Sequence, residues 1–340
     1  MESGEDGTQV LLSTPARLTV DRLAPATPVA PIERLTARVA ASDRPVLILP
    51  PGGGPVVVRL LLELPALGVT SAEPDVWRID LDPLRATVDA SLGPSGEGRL
   101  RVRFAGASAT VAGSSVTPAG VTLDGLAADL RMDLMPGDAA SGGARLSRLD
   151  VNARRVADRS RLARFTPLSL EGVVRGAATA RSPDRLAFRT TLRGADGAFV
   201  LDADGHHVPS SGRGEAELKL FPIRFVPGGL QPADLSPAAA ALFRDASGEV
   251  SLGGRVRWPG EAVPPDDPLT LTLKDLGFSG SLGTVTGLSG AVAVTRVDPL
   301  TTAPAQELTA AAVDVGIPIV APRIRFRLEP DRVLRLESVE

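Results

Sequence analysis

Apolar and charged residues alternate in Arg323-Ile324-Arg325-Phe326-Arg327-Leu328, and the same period of two returns along nearly the whole chain. Side chains of a β-strand point to opposite faces in turn, so such a run makes one apolar and one charged face. Comparable runs are Arg101-Val102-Arg103-Phe104, Ala128 to Leu134, Glu215 to Leu220 and Val250 to Trp258. The pattern predicts that Val102, Phe104, Leu130, Met132, Leu218, Leu220, Val250, Leu252, Leu269, Leu271, Leu273, Val292, Val294, Ile324, Phe326 and Leu328 share an apolar interior. Arg101, Arg103, Asp129, Arg131, Glu217, Lys219, Arg323, Arg325 and Arg327 then face solvent.

Thirty prolines and 35 glycines cut the chain into segments of about 6 to 12 residues, a spacing typical of all-β domains. The segments predict about 18 strands, mostly antiparallel, among them Gln9 to Val20, Ile32 to Val39, Val56 to Leu64, Gly120 to Leu134, Gly248 to Trp258, Leu269 to Phe278 and Glu307 to Val315. Asp124-Gly125, Asp196-Gly197 and Asp204-Gly205 read as hairpin turns, where glycine accepts a positive φ. One segment reads as helix: Pro237 to Ala246, with Ser236 as N-cap and proline in the first helical position. Twisted sheets of more than about 10 strands curl, close or split. The period alone leaves two solutions: a sealed sandwich or barrel, and a long curved sheet whose apolar face stays open as a trough.

Composition sets who fills the interior. The chain is 43% apolar but only 3% aromatic, with no Tyr, so Leu, Val, Ala and Ile supply the buried surface. Mean hydropathy of +0.11 is too high for a disordered chain. A net charge of -3 gives no reason to expect nucleic acid, which needs a basic excess. Lys219 and Lys274 are the only lysines among 37 basic residues. Without cysteine there is no disulfide, thiolate metal site or thiol nucleophile. The acidic start Met1-Glu2-Ser3-Gly4-Glu5-Asp6 is not an export signal. No stretch reaches the roughly 18 apolar residues of a spanning helix; Arg59 and Glu63 interrupt the greasiest run, Val56 to Leu64.

Candidate chemistry is thin. His206 and His207 are adjacent in a predicted loop, and neighbours on extended chain point apart, so they do not converge on a metal. Gly52-Gly53-Gly54 lacks the helix and lysine of a phosphate cradle and reads as a turn. Asp266-Asp267 alone falls short of a calcium site. There is no Gly-x-Ser-x-Gly elbow. The reading is non-enzymatic, with no catalytic residue, cofactor or metal expected, which leaves binding or transport along an apolar surface or a purely structural β-scaffold.

From Phe225 onward the succession is distinctive: Val226-Pro227-Gly228-Gly229-Leu230-Gln231-Pro232-Ala233-Asp234-Leu235-Ser236-Pro237, then Ala246-Ser247-Gly248-Glu249-Val250, Leu269-Thr270-Leu271-Thr272-Leu273, Gly287-Leu288-Ser289-Gly290, Asp298-Pro299-Leu300-Thr301-Thr302 and Val315-Gly316-Ile317-Pro318-Ile319. It resembles the C-terminal part of YdbH-like proteins, relatives of the AsmA and TamB group of envelope lipid transporters; residues 1–224 agree only in style. The resemblance implies a repeating β-groove: an all-β, long curved antiparallel sheet whose hydrophobic channel conducts phospholipids between the inner and outer membranes of a diderm bacterium. It further implies a periplasmic location, an inner-membrane anchor ahead of this chain, more sheet beyond Glu340, and an outer-membrane partner joined by strand addition. On that reading residues 1–224 and 225–340 are parts of one groove.

Overall fold

The structure, a computed structural model, describes residues 3–4, 7–23, 32–70, 78–112, 120–135, 143–176, 184–258, 268–280, 283–297, 300–331 and 333–340. Strand accounts for 73% of it, the pairing is antiparallel, and the sheet is not closed into a barrel. Contacts divide the chain into two compact units: residues 1–114, 121–155 and 171–187, and residues 115–120, 156–170 and 188–340.

In the first unit Val56–Leu64 pairs with Leu84–Leu92, which pairs with Gly98–Ala112, which pairs with Val121–Met135. Long strands here take short partners end to end. The first half of Val56–Leu64 meets Ser42–Leu49 and its second half meets Ile32–Val39. Gly98–Ala112 likewise meets Leu84–Leu92 and then Arg78–Leu81. In the second unit Phe199–Val208, Arg213–Phe225, Arg244–Trp258, Leu269–Gly280 and Gly283–Val297 pair in succession. Three short strands, Leu300–Thr302, Gln306–Thr309 and Ala312–Asp314, then share Gly283–Val297. Arg323–Leu328 pairs with Gln306–Thr309 and, on its other side, with Leu334–Val339.

Several sequence expectations shift. The stretch Gln9 to Val20 is two strands, Gly7–Leu12 and Ala16–Leu23. Ser42–Leu49 is a strand that the pattern did not announce, because Asp43, Arg44 and Pro45 hide its alternation. Asp196-Gly197 does turn, as a single 3-10 turn. Asp124-Gly125 and Asp204-Gly205 do not: they lie inside the strands Val121–Met135 and Phe199–Val208. Gly125 still uses its positive φ of 63°, but at a shift in register rather than a reversal. His206 and His207 are therefore strand residues, not loop residues.

The helical segment begins earlier than the sequence pattern placed it. One α-turn spans Pro232–Leu235, a 3-10 stretch spans Pro237–Ala241, and Arg244 already belongs to a strand. Gln231 caps the α-turn: its backbone N–H donates to Asp234 Oδ2 at 2.8 Å. Its side-chain Oε1 accepts from Ala246 N at 2.7 Å, which draws the end of the expected helix into the sheet. Asp266-Asp267 lies outside the described residues.

Candidate functional site

Register decides which side chains share a face, because residues opposed across an antiparallel ladder point the same way. In the second unit one row runs Leu201, Leu220, Leu252, Leu271, Val292 over five successive strands. A parallel row runs Ile223, Val250, Leu273, Gly290, Leu308, Ile324, Val339 over seven. Flanking them, Leu269 opposes Val294, and Phe326 opposes Leu336 and Gln306. The result is one continuous aliphatic face. Gln306 sits in it with both amide ends used: Oε1 accepts from Ala293 N at 2.6 Å and Nε2 donates to Pro304 O at 3.2 Å.

The opposite face is polar. Glu217 opposes Arg255 and Asp204; Glu307 opposes Arg325. Ion pairs lace it, including Arg257–Glu215 at 3.3 Å, Arg224–Glu249 at 3.6 Å and Arg325–Glu307 at 3.2 Å. These pairs are partly open to solvent and worth no more than about 1 kcal/mol each, so they fix register more than stability.

The first unit repeats the arrangement. Val10, Leu47, Val58, Ala90, Leu100 and Met132 form one row, and Ala16, Val39, Leu62, Ala86, Phe104 and Ala128 another. Leu60, Val88, Val102 and Leu130 lie between them. Arg101 pairs with Asp129 at 2.6 Å on the polar side, with Arg131 adding a second contact at 3.0 Å. Hydrogen bonds from Arg101 and then Arg131 hold the Asp129 carboxyl well below the usual carboxylate range.

Of the sixteen residues expected in the interior, Leu269, Val292 and Val294 are buried and the other thirteen are half-buried; none is exposed. Large aliphatic side chains left half-buried are not sealed in a close-packed core. On the charged side Arg103, Arg131, Glu217, Lys219, Arg323 and Arg325 are exposed, while Arg101, Asp129 and Arg327 are half-buried in ion pairs.

Two features bound the apolar face. At one end, the helical segment packs down on it: Leu230 and Leu235 cover the cluster of Ile223, Phe225 and Ala246, with Val250, Leu276 and Phe278 alongside. Gln231 Nε2 pins this segment by donating to the carbonyls of Val226, Leu230 and Ala246 at 2.9 to 3.0 Å. Thr166 N donates to Leu235 O at 2.8 Å and Ala238 N to Ala163 O at 3.1 Å, which ties in the 159–167 loop. At the opposite strand ends, His207 opposes Gly214 and Gly214 opposes Trp258, so a histidine and a tryptophan stand on the same face as the leucines.

Among the described residues no group of three or more His, Asp or Glu gathers to hold a metal, and no helix is long and apolar enough to cross a membrane. No curated protein and no solved structure matches the chain. A two-faced sheet with continuous aliphatic rows is the surface that a lipid carrier needs, and residues 75–340 match the family model YdbH-like, intermembrane phospholipid transport protein YdbH: the chain belongs to that family.

Proposed function

We propose that the aliphatic face of each unit receives phospholipid acyl chains and lets them move along the rows, without chemistry and without nucleotide. The observation that carries this reading is the row Leu201, Leu220, Leu252, Leu271, Val292, unbroken across five strands and half-open to its surroundings. Each CH₂ withdrawn from water onto such a wall contributes about 0.8 kcal/mol, so one chain is held firmly yet without directional bonds. A non-directional wall lets a lipid slide. Family membership supports an envelope setting, between two membranes, for this work.

The same reading gives the terminal strand a role. Leu334–Val339 pairs only with Arg323–Leu328 among the described residues, and Leu334, Leu336 and Val339 are exposed on it. An unpaired edge of this kind accepts a further strand. We assign to it the docking of a further strand, supplied by an outer-membrane partner.

Leu271→Asp tests the wall. A carboxylate in the middle of the row interrupts the aliphatic path at a half-buried position, so the strand pairing survives. Lipid transfer between donor and acceptor vesicles should fall at least tenfold, while circular dichroism keeps its β signature. Unchanged transfer by the folded variant would contradict the proposal.

A further inference from the structure

The aliphatic face ends at a polar border. His207, Gly214 and Trp258 oppose one another in the last rung of three strands. The Trp258 indole lies against Gly214, where an added Cβ would stand 2.2 Å from ring atom Cζ2, so only glycine admits it. The indole stacks on His207 with centroids 6.1 Å apart and meets Phe188 at the same distance. Its Nε1 donates to His207 Nδ1 at 3.1 Å. Indole N–H can only donate, so that bond places the imidazole proton on Nε2. His207 Nε2–H then remains a donor with no protein partner among the described residues.

Other polar groups of these rows are used up. Gln306 bonds backbone at both ends, and Thr302 Oγ1 accepts from Leu328 N at 2.9 Å. Resting on the acyl-chain reading above, we propose that the His207–Trp258 border receives the phosphate-ester end of a phospholipid, with Nε2–H donating to a phosphate oxygen and the indole at the boundary between polar and apolar parts. Tryptophan favours that level of a lipid layer because one end of its ring system is apolar and the other wet. The dimensions agree. From Trp258 to Val250 the strand runs roughly 26 Å at about 3.3 Å per residue, against about 15 Å for the hydrocarbon of one leaflet. A lipid with its phosphate at the border thus keeps its chains on the leucine rows and clear of Leu230 and Leu235.

Trp258 is its own reporter once Trp77→Phe removes the other tryptophan. The full chain carrying that change is mixed with vesicles of phosphatidylcholine brominated either near the ester or near the chain end. Ester-proximal bromine should quench Trp258 several-fold more strongly than terminal bromine. His207→Ala should weaken phospholipid binding at least tenfold, the loss of one hydrogen bond to a charged group, and leave dioleoylglycerol binding unchanged. His207→Gln, which keeps an N–H donor, should restore most of the loss and shows that the alanine effect is not misfolding. Inorganic phosphate alone should leave Trp258 fluorescence unmoved. Stronger quenching by terminal bromine, equal weakening for phospholipid and dioleoylglycerol, or a response to free phosphate would each overturn the border assignment while leaving the acyl wall standing. A chain that takes up neither lipid would overturn both.

Discussion

Asp158 shows how a single residue holds the covering segment in place. Its side chain is fully buried at the end of Gly143–Asp158, facing Arg164 Nε at 3.0 Å. It also accepts from Arg164 N at 2.8 Å, Ser160 N at 3.1 Å and Ser160 Oγ at 2.8 Å. The Arg164 guanidinium first, and then these donors, hold its carboxyl far below the usual carboxylate range. A depressed carboxylate stabilises the fold above its unfolded pKa of about 4, and that contribution is lost as pH falls toward the folded value. The loop it organises carries Ala163 and Thr166, which bond the helical segment. Asp158→Ala should therefore lower stability by about 2 kcal/mol at pH 7 in urea denaturation, with the difference from wild type shrinking below about pH 4. An equal difference at pH 7 and pH 3 would contradict this role.

At the scale of elements, the instructive features are the bulges. In Gly98–Ala112 the apolar phase changes from Val102 and Phe104 to Ala107 and Ala109, and the register shifts between Phe104 and Ala107 at Gly106, whose φ is 75°. Leu273 gives way to Leu276 at Asp275, with φ 49°, and Leu220 to Ile223 at Phe221-Pro222. In each case the extra residue keeps the apolar set on one face although the alternation in sequence has slipped. Gly106→Val puts a β-branched side chain at φ 75° and should cost on the order of 2 kcal/mol, read as a lower denaturation midpoint. A variant that leaves the midpoint unchanged would show that the bulge does not depend on glycine at this position.

These bulges also mark how far the sequence was readable. Strict alternation located the faces of Leu218, Leu220, Leu269 and Leu271, because period two is a local property, and Pro55 and Pro65 bounded the apolar run Val56–Leu64. Ile223, Leu276 and Leu308 were not assigned to the face, since a phase slip looks like the end of a strand until the partner strand is known. Asp124-Gly125 misled for a related reason: a positive φ serves a turn or a bulge equally well, and only pairing tells which, while Asp204-Gly205 runs in unbroken register opposite Glu217 and Ala216. His207 and Trp258 lie 51 residues apart in sequence, and their meeting depends on two ladders that no local pattern encodes.

For the molecule as a whole, family membership reaches much further back than the stretch after Phe225, to residue 75, and the two units repeat one design: aliphatic rows on one face and laced charges on the other. A carrier of this kind carries a hazard at its open edge. Among the described residues Leu334–Val339 pairs on one side alone, and Leu334 and Leu336 are exposed on it. The isolated chain should associate as concentration rises in size-exclusion chromatography, and Leu336→Lys should return it toward monomer. A strictly monomeric chain at high concentration, with slow amide exchange over 334–339, would rule out an available edge.

The central claim concerns which face meets the lipid, and site-specific photocrosslinking reads that face directly. A photoreactive phenylalanine analogue is placed singly at Leu252 or Leu271 on the aliphatic rows, and at Lys219 or Thr272 on the opposite face, and the chain is irradiated with radiolabelled phospholipid vesicles. Leu252 and Leu271 should capture lipid while Lys219 and Thr272 stay unlabelled; labelling of both faces alike, or of Lys219 and Thr272 alone, would contradict the account.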